Sequence, residues 1–150
     1  MPETYLTPRL ALPLLAAGQA QKELTHNEAL VLIDALLLPA AQGGPSNTPP
    51  ESPEVGHGWM VDSAPSGAWL GHPMDFAVWT AAGWRFATPP IGTIFPVGVT
   101  RIQYRRTATG WTAASPISGP AGGAIVDLEC RAAVNQVLIA LREAGIIDNS

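Results

Sequence analysis

Four echoes of one short pattern constrain this chain more than any other feature: "GHGW" at 56–59, "SGAW" at 66–69, "TAAGW" at 80–84 and "TATGW" at 107–111. In each, glycine permits a tight bend and a tryptophan one or two positions later returns to a sheet and covers its face. Each is therefore expected at a hairpin corner. "FAVWT" before Gly83 and "WRFAT" after it read as two such strands. "RIQYRR" at 101–106 alternates strictly, with Arg101, Gln103 and Arg105 on one side and Ile102, Tyr104 and Arg106 on the other. Together they predict a small antiparallel sheet lined with tryptophan. The echoes keep no fixed period, which argues against a solenoid or propeller.

Helical patterns flank this region. Thr25 and Glu28 have the spacing of a capping box, with Leu24 and Ala29 where a hydrophobic staple would sit. Ala29, Leu30, Ile33, Leu36 and Leu37 recur at three- and four-residue steps, while His26, Asn27 and Asp34 fall elsewhere. That pattern predicts an amphipathic helix stopped by Pro39. "PAAQGGPSNTPPESP" at 39–53 has five prolines and no periodicity, and reads as an extended, exposed linker. After the Gly/Pro-rich "SPISGPAGG", Asp127 is a good N-cap, with Glu129 in the first turn and Arg142 near the last. Gly145 is the natural C′ residue, and Ile146 beside Leu141 would complete a Schellman ending. Cys130, Val134, Val137, Leu141 and Ala144 step by 4, 3, 4 and 3, a coiled-coil seam too short to hold strands together alone. This helix must dock on its own domain, on symmetry mates, or on both. The class expected is α+β. Residues 1–38 are an anchoring segment and helix, 39–54 a Pro-rich linker, 55–117 a small β domain, and 118–150 a linker and oligomerisation helix.

Composition narrows the function classes. The 150 residues suffice for one sizeable core, and only 13% are charged against a usual value of about 25%. With 15 glycines and 15 prolines, much of the surface must be small and neutral, which suits assembly. A net charge of −4 and a pI near 5.2 favour neither nucleic acid nor an anionic membrane as partner. The single cysteine, Cys130, excludes an internal disulfide framework and a cysteine zinc site within one chain. "MPETYLTPRLALPLLAAG" lacks a basic segment before its apolar run and is broken by Pro8 and Pro13, unlike a signal peptide. The apolar run from Ala29 to Ala41 contains Asp34 and Pro39 and is too short to span a bilayer. A soluble protein, synthesised in the cytoplasm, is expected.

"GQAQKELTHNEAL" at 18–30 gathers the only lysine, Lys22, with Glu23, His26, Asn27 and Glu28. As an acid–base site it lacks a completing group, and the capping box already employs Thr25 and Glu28. Gln19, Gln21, Lys22 and Asn27 are left over by capping and are candidates for satisfying backbone groups of a neighbouring chain. His26, His57 and His72 have no metal-ligand spacing, and no cofactor motif is present. Arg101, Arg105 and Arg106 beside Tyr104 and Trp111 form the one basic–aromatic patch. That patch, or the tryptophans 59, 69, 79, 84 and 111, could meet a glycan through Trp69, Trp84, Tyr104 or Trp111, although a small sheet needs most such rings for its core. Asp62 and Asp75 are the carboxylates a glycan hydrolase would need, with no motif around them.

"TPRLALPLLAAGQAQKELTHNEALVLIDALL" resembles the opening of an uncharacterised domain family found in gene transfer agents and prophages, where "L-P-x-L-x-x-x-Q-A-Q-K-E-x-T-x-N-E-A-L" precedes a helix. "GAWLGH", "AVWTAAGWRFATPPIG" and "DLECRAAVNQVLIALREAGII" resemble that family's middle and end. The resemblance implies a non-enzymatic structural part of a phage-like particle. In gene transfer agents it points to head-spike genes, whose products decorate capsid vertices and help the particle bind the capsule polysaccharide of recipient cells. The chain ends soon after its last helix, so a base or adaptor that reaches the cell surface indirectly is expected rather than the binding fibre. Its partners would be itself, as trimer or pentamer, and other particle proteins. Val134, Val137 and Leu141 would form the self-association seam. The rival expectation is a carbohydrate-binding module of a tail fibre or spike.

Overall fold

The computed structural model describes residues 5–18, 22–37, 39–98, 100, 102–123 and 127–147. Helix α1 (Lys22–Leu37) precedes strands β1 (Gly58–Met60), β2 (Phe76–Thr80), β3 (Gly83–Ala87), β4 (Ile94–Pro96), β5 (Gln103–Arg106) and β6 (Trp111–Ala113), and helix α2 (Leu128–Glu143) follows them. The class is α+β, as the pattern predicts. The strands form two antiparallel three-stranded sheets, β1-β2-β3 and β4-β5-β6, where the echoes predict one.

Three of the echoes bring their tryptophan into a strand. The β2–β3 hairpin bends at Ala81 and Ala82, and Gly83 at φ +97° supplies the left-handed residue that resumes the ladder, pairing with Thr80. The fourth, "SGAW", differs: it forms a 3-10 turn, Gly67–Trp69, that tucks Trp69 fully out of solvent beneath the first sheet.

Alternation along the strands splits the first sheet into two faces. Met60, Phe76 and Val78 point toward the second sheet and meet Phe95, Val97, Ala35 and Ala41, with Tyr104 and Trp111 packed alongside. Each large buried side chain of this cluster contributes on the order of 1.5–3 kcal/mol. Val61, Trp69 and Ala77 form a second cluster on the other face with Trp59, Trp84 and Phe86. Gly58 is required by packing: a Cβ there would lie 2.3 Å from the Phe76 ring. Two polar links pin the sheets together. The Trp111 indole donates to the Val61 carbonyl (2.8 Å), and the buried Arg106 donates through Nε to the Met74 carbonyl (3.2 Å).

The Pro-rich stretch is not the exposed linker its composition predicts. Ala41 is fully buried and bridges in parallel to both Gly58 and Val97. Its N–H donates to the Pro96 carbonyl (3.0 Å), and its carbonyl accepts from the Gly98 N–H (2.9 Å). Ser46 continues the contact, donating to Met60 and accepting from Asp62. Prolines stop a ladder from running on, yet the residues between them keep free N–H groups, and those stitch the two sheets together.

The two helix ends depart from and agree with expectation respectively. α1 begins at Lys22, so Thr25 and Glu28 lie inside the helix and form no capping box. The Glu28 carboxylate instead accepts from Arg85 of β3 (2.9 Å), a cross-element partner invisible at four-residue range. α2 follows its sequence signals. The Asp127 side chain accepts from the Cys130 N–H, Gly145 takes φ +69°, and Ile146 N–H reaches the Leu141 carbonyl (2.9 Å) while Gly145 N–H reaches Arg142 (2.9 Å). That pair of bonds is a Schellman ending.

Candidate interaction site

An amphipathic helix ordinarily turns its apolar stripe to the core. α1 does so only in part: Ala35 lies in the first core cluster and the half-buried Leu36 packs against it. Its buried residues are Asp34 and Ala35, and Ile33 and Leu37 stand 48% and 65% exposed. The cause lies in the N-terminal segment. Residues 5–14 double back, Thr7 N–H reaching the Leu12 carbonyl and Leu14 N–H the Tyr5 carbonyl. The Asp34 carboxylate accepts from the Thr7 hydroxyl (2.7 Å) and from the backbone N–H groups of Arg9 (3.0 Å) and Leu10 (2.6 Å), while the Arg9 guanidinium donates to the Ala35 carbonyl (2.9 Å). Asn27 adds a two-way clip, accepting from the Leu15 N–H (2.9 Å) and donating to the Leu15 carbonyl (3.0 Å). Asp34 and Asn27 share one side of the helix, and a buried carboxylate is tolerated only where such donors converge. Satisfying them fixes the helix rotation and leaves Leu32, Ile33, Leu36 and Leu37 lining a shallow depression open to solvent.

α2 is exposed for a different reason. Among its residues only Leu138 is buried, and its attachments are polar. Arg131 donates to the Pro120 and Gly122 carbonyls, Arg142 to Ile117 (2.6 Å), and Gln103 of β5 to the Ala144 carbonyl at the helix end (3.2 Å). At 3.6 residues per turn, Arg131, Leu138 and Arg142 share the side that meets the chain. Val134 (40% exposed) and Val137 (58%) lie about a quarter turn away, on the predicted seam with Cys130 and the half-buried Leu141. Leu128 and Ile139 are exposed on a third side. From Ala132 to Leu141 the helix carries no charge at all.

The residues singled out by sequence separate accordingly. Asn27 satisfies backbone groups as expected, but those of its own chain rather than of a neighbour. Lys22 is exposed on the outward side of α1. Gln19, Gln21 and Arg101 lie outside the described residues. Of the rings offered for glycan contact, Trp69 is sealed inside, Tyr104 and Trp111 pack on the core, and Trp84 is wedged edge-on against Trp59, Trp69 and Trp79 at centroid distances of 5.4, 5.4 and 5.0 Å. Arg106 is buried over Trp111, which removes it from the basic patch, whereas Arg105 faces outward in a cleft with Gln103, Thr107, Thr112 and Ile146. Sequence reasoning missed Asp34, the pivot of the N-terminal clamp. Its signal is a lone carboxylate inside an apolar helical run.

Among the described residues, the carboxylates Asp62 and Asp75, outside the helices, have separate partners. Asp75 is held by His72 (3.0 Å) and Thr88 (2.7 Å), with His72 stacked on Phe86, and Asp62 accepts from the following N–H. Glu23, Glu28 and His26 point to different partners or to solvent. Among the described residues, no three His, Cys, Asp or Glu side chains are grouped as a metal site would need, and no helix is long and apolar enough to cross a membrane. What the site offers is apolar helical surface in two places, set in a body of small neutral residues. Residues 26–112, more than half of the chain, match a family described as "Protein of unknown function (DUF2793)". No curated protein matches the chain.

Proposed function

We propose, for a chain that belongs to the DUF2793 family of unknown function, that it is a non-enzymatic structural subunit of a phage-like particle such as a gene transfer agent, serving as a head-spike base or adaptor. The reading joins two lines of support. The N-terminal and C-terminal motifs resemble particle components, and both helices present apolar side chains that the described residues leave uncovered. The observation that carries it is the uncharged, exposed centre of α2, with Val134 and Val137 on one side. A helix of this kind gains stability from partners, and repeated copies about a symmetry axis turn weak contacts into firm attachment. In this reading the two-sheet body is the rigid spacer, the α2 seam joins copies, and the outer face of α1 meets a neighbour in the particle.

Light scattering on the full chain and on a chain lacking residues 127–150 tests it. A trimer or pentamer that is lost on truncation, and on Val134→Lys with Val137→Lys, supports the reading. A monomer in every form, with glycan binding by the isolated protein, favours a carbohydrate-binding module instead, with the Arg105 cleft as its remaining surface.

A further inference from the structure

The seam accounts for one side of α2 and leaves Leu128 (75% exposed) and Ile139 (52%) unexplained on the opposite side. Among the described residues, Ile33 and Leu37 on the outward side of α1 are likewise left exposed. These two faces match each other. Both helices have 16 residues and so run about 24 Å. α1 carries Lys22 at its N-terminal end and Ile33 and Leu37 toward its C-terminal end, on one side. α2 carries Leu128 at its start, Ala132 one turn on, and Glu143 at its end, also on one side. Laid antiparallel, Leu37 meets Leu128, Ile33 fits over the small Ala132, Ile139 lies along His26, and Lys22 reaches Glu143. Laid parallel over the same length, Ile33 would meet Ile139, but Leu37 would meet Glu143 and Lys22 would lie against Leu128 with no carboxylate opposite. Neither Lys22 nor Glu143 has an ion-pair partner among the described residues.

We infer that the outer face of α1 receives α2 of a second copy of this chain, antiparallel and on the side of α2 away from the seam. The occupant is set by charge and size complementarity: the only lysine of the chain opposes an unpaired glutamate, and an isoleucine opposes an alanine. Each copy carries both faces, so one copy gives its α2 to one neighbour and receives α2 from another, a head-to-tail contact. The apolar contact supplies affinity and the charge pair sets direction. It is a second interface, independent of the seam.

The test uses the full chain carrying Val134→Lys and Val137→Lys, so that the seam is silent, and reads self-association by sedimentation velocity. With the trimer or pentamer lost, a weaker self-association is expected to remain, to weaken further by at least about tenfold with Leu37→Asp or with Leu128→Asp, and to return as a mixed pair when those two chains are combined, because the intact α1 of one then meets the intact α2 of the other. Lys22→Glu and Glu143→Lys are expected to weaken it singly and to restore it together. Circular dichroism of each variant checks that the helices remain. Mixing that restores nothing, or Leu128→Asp that changes nothing, overturns the inference while leaving the seam, tested separately above, intact.

Discussion

α1 and α2 are equal in length and opposite in how the fold treats them. α1 is clamped by buried polar chemistry, Asp34 and Asn27 reaching back to residues 7–15, and Ile33 and Leu37 of its apolar stripe are turned outward. α2 is held by its caps and by a few arginine and glutamine contacts to the 117–123 strap and β5, and buries a single leucine. The first helix belongs to the folding unit; the second is presented by it. A polar residue with enough converging donors outweighs several leucines in choosing which side of a helix faces inward. An unsatisfied buried carboxylate costs more than an exposed leucine forgoes.

Mutations can break this contrast, beginning with the largest effect. Asp34→Ala leaves the Thr7 hydroxyl and two backbone N–H groups without their acceptor, and is expected to lower stability by about 3 kcal/mol in urea unfolding. The body underneath is nearly as intolerant. Gly58→Ala drives a methyl into the Phe76 ring and is expected to cost about 1–3 kcal/mol by the same measurement. On α2 the effects shrink and become local. Asp127→Ala and Gly145→Ala, which remove the N-cap and strain the C-terminal turn, are each expected to cost about 1 kcal/mol, read as faster amide exchange within α2 while the sheets keep their protection. Smallest is Leu37→Ser in α1. Were its stripe facing the core, this change would cost several kcal/mol; with Leu37 exposed, the unfolding midpoint of the monomer should move by less than about 0.5 kcal/mol.

Legibility varied with the range of the interaction involved. α2 and both its caps were readable because every signal lies within a few residues: Asp127 to Cys130, Leu141 to Ile146. The β2–β3 hairpin was readable from "TAAGW" for the same reason. Glu28 was misread as a cap because its partner, Arg85, lies far along the chain. The Pro-rich stretch was misread because proline density describes what a segment cannot do alone, and Ala41 is ordered by two sheets that lie beyond it in sequence. Residue type alone suggests a glycan surface, whereas packing buries Trp69 and Arg106 and half-buries Tyr104 and Trp111.

By itself the sequence determined the α+β class, the existence and type of the helices and of the hairpin, the endings of α2, and a surface poor in charge. Periodicity, turn chemistry and capping are local, and they act on any chain that carries them. Tertiary structure alone decided that the strands divide into two sheets, that Ala41 joins them, that Trp69 turns inward, and that α1 leaves Ile33 and Leu37 in solvent. Each of those depends on which distant groups can satisfy a buried donor or fill a gap, and such pairings exist only once the chain has closed on itself.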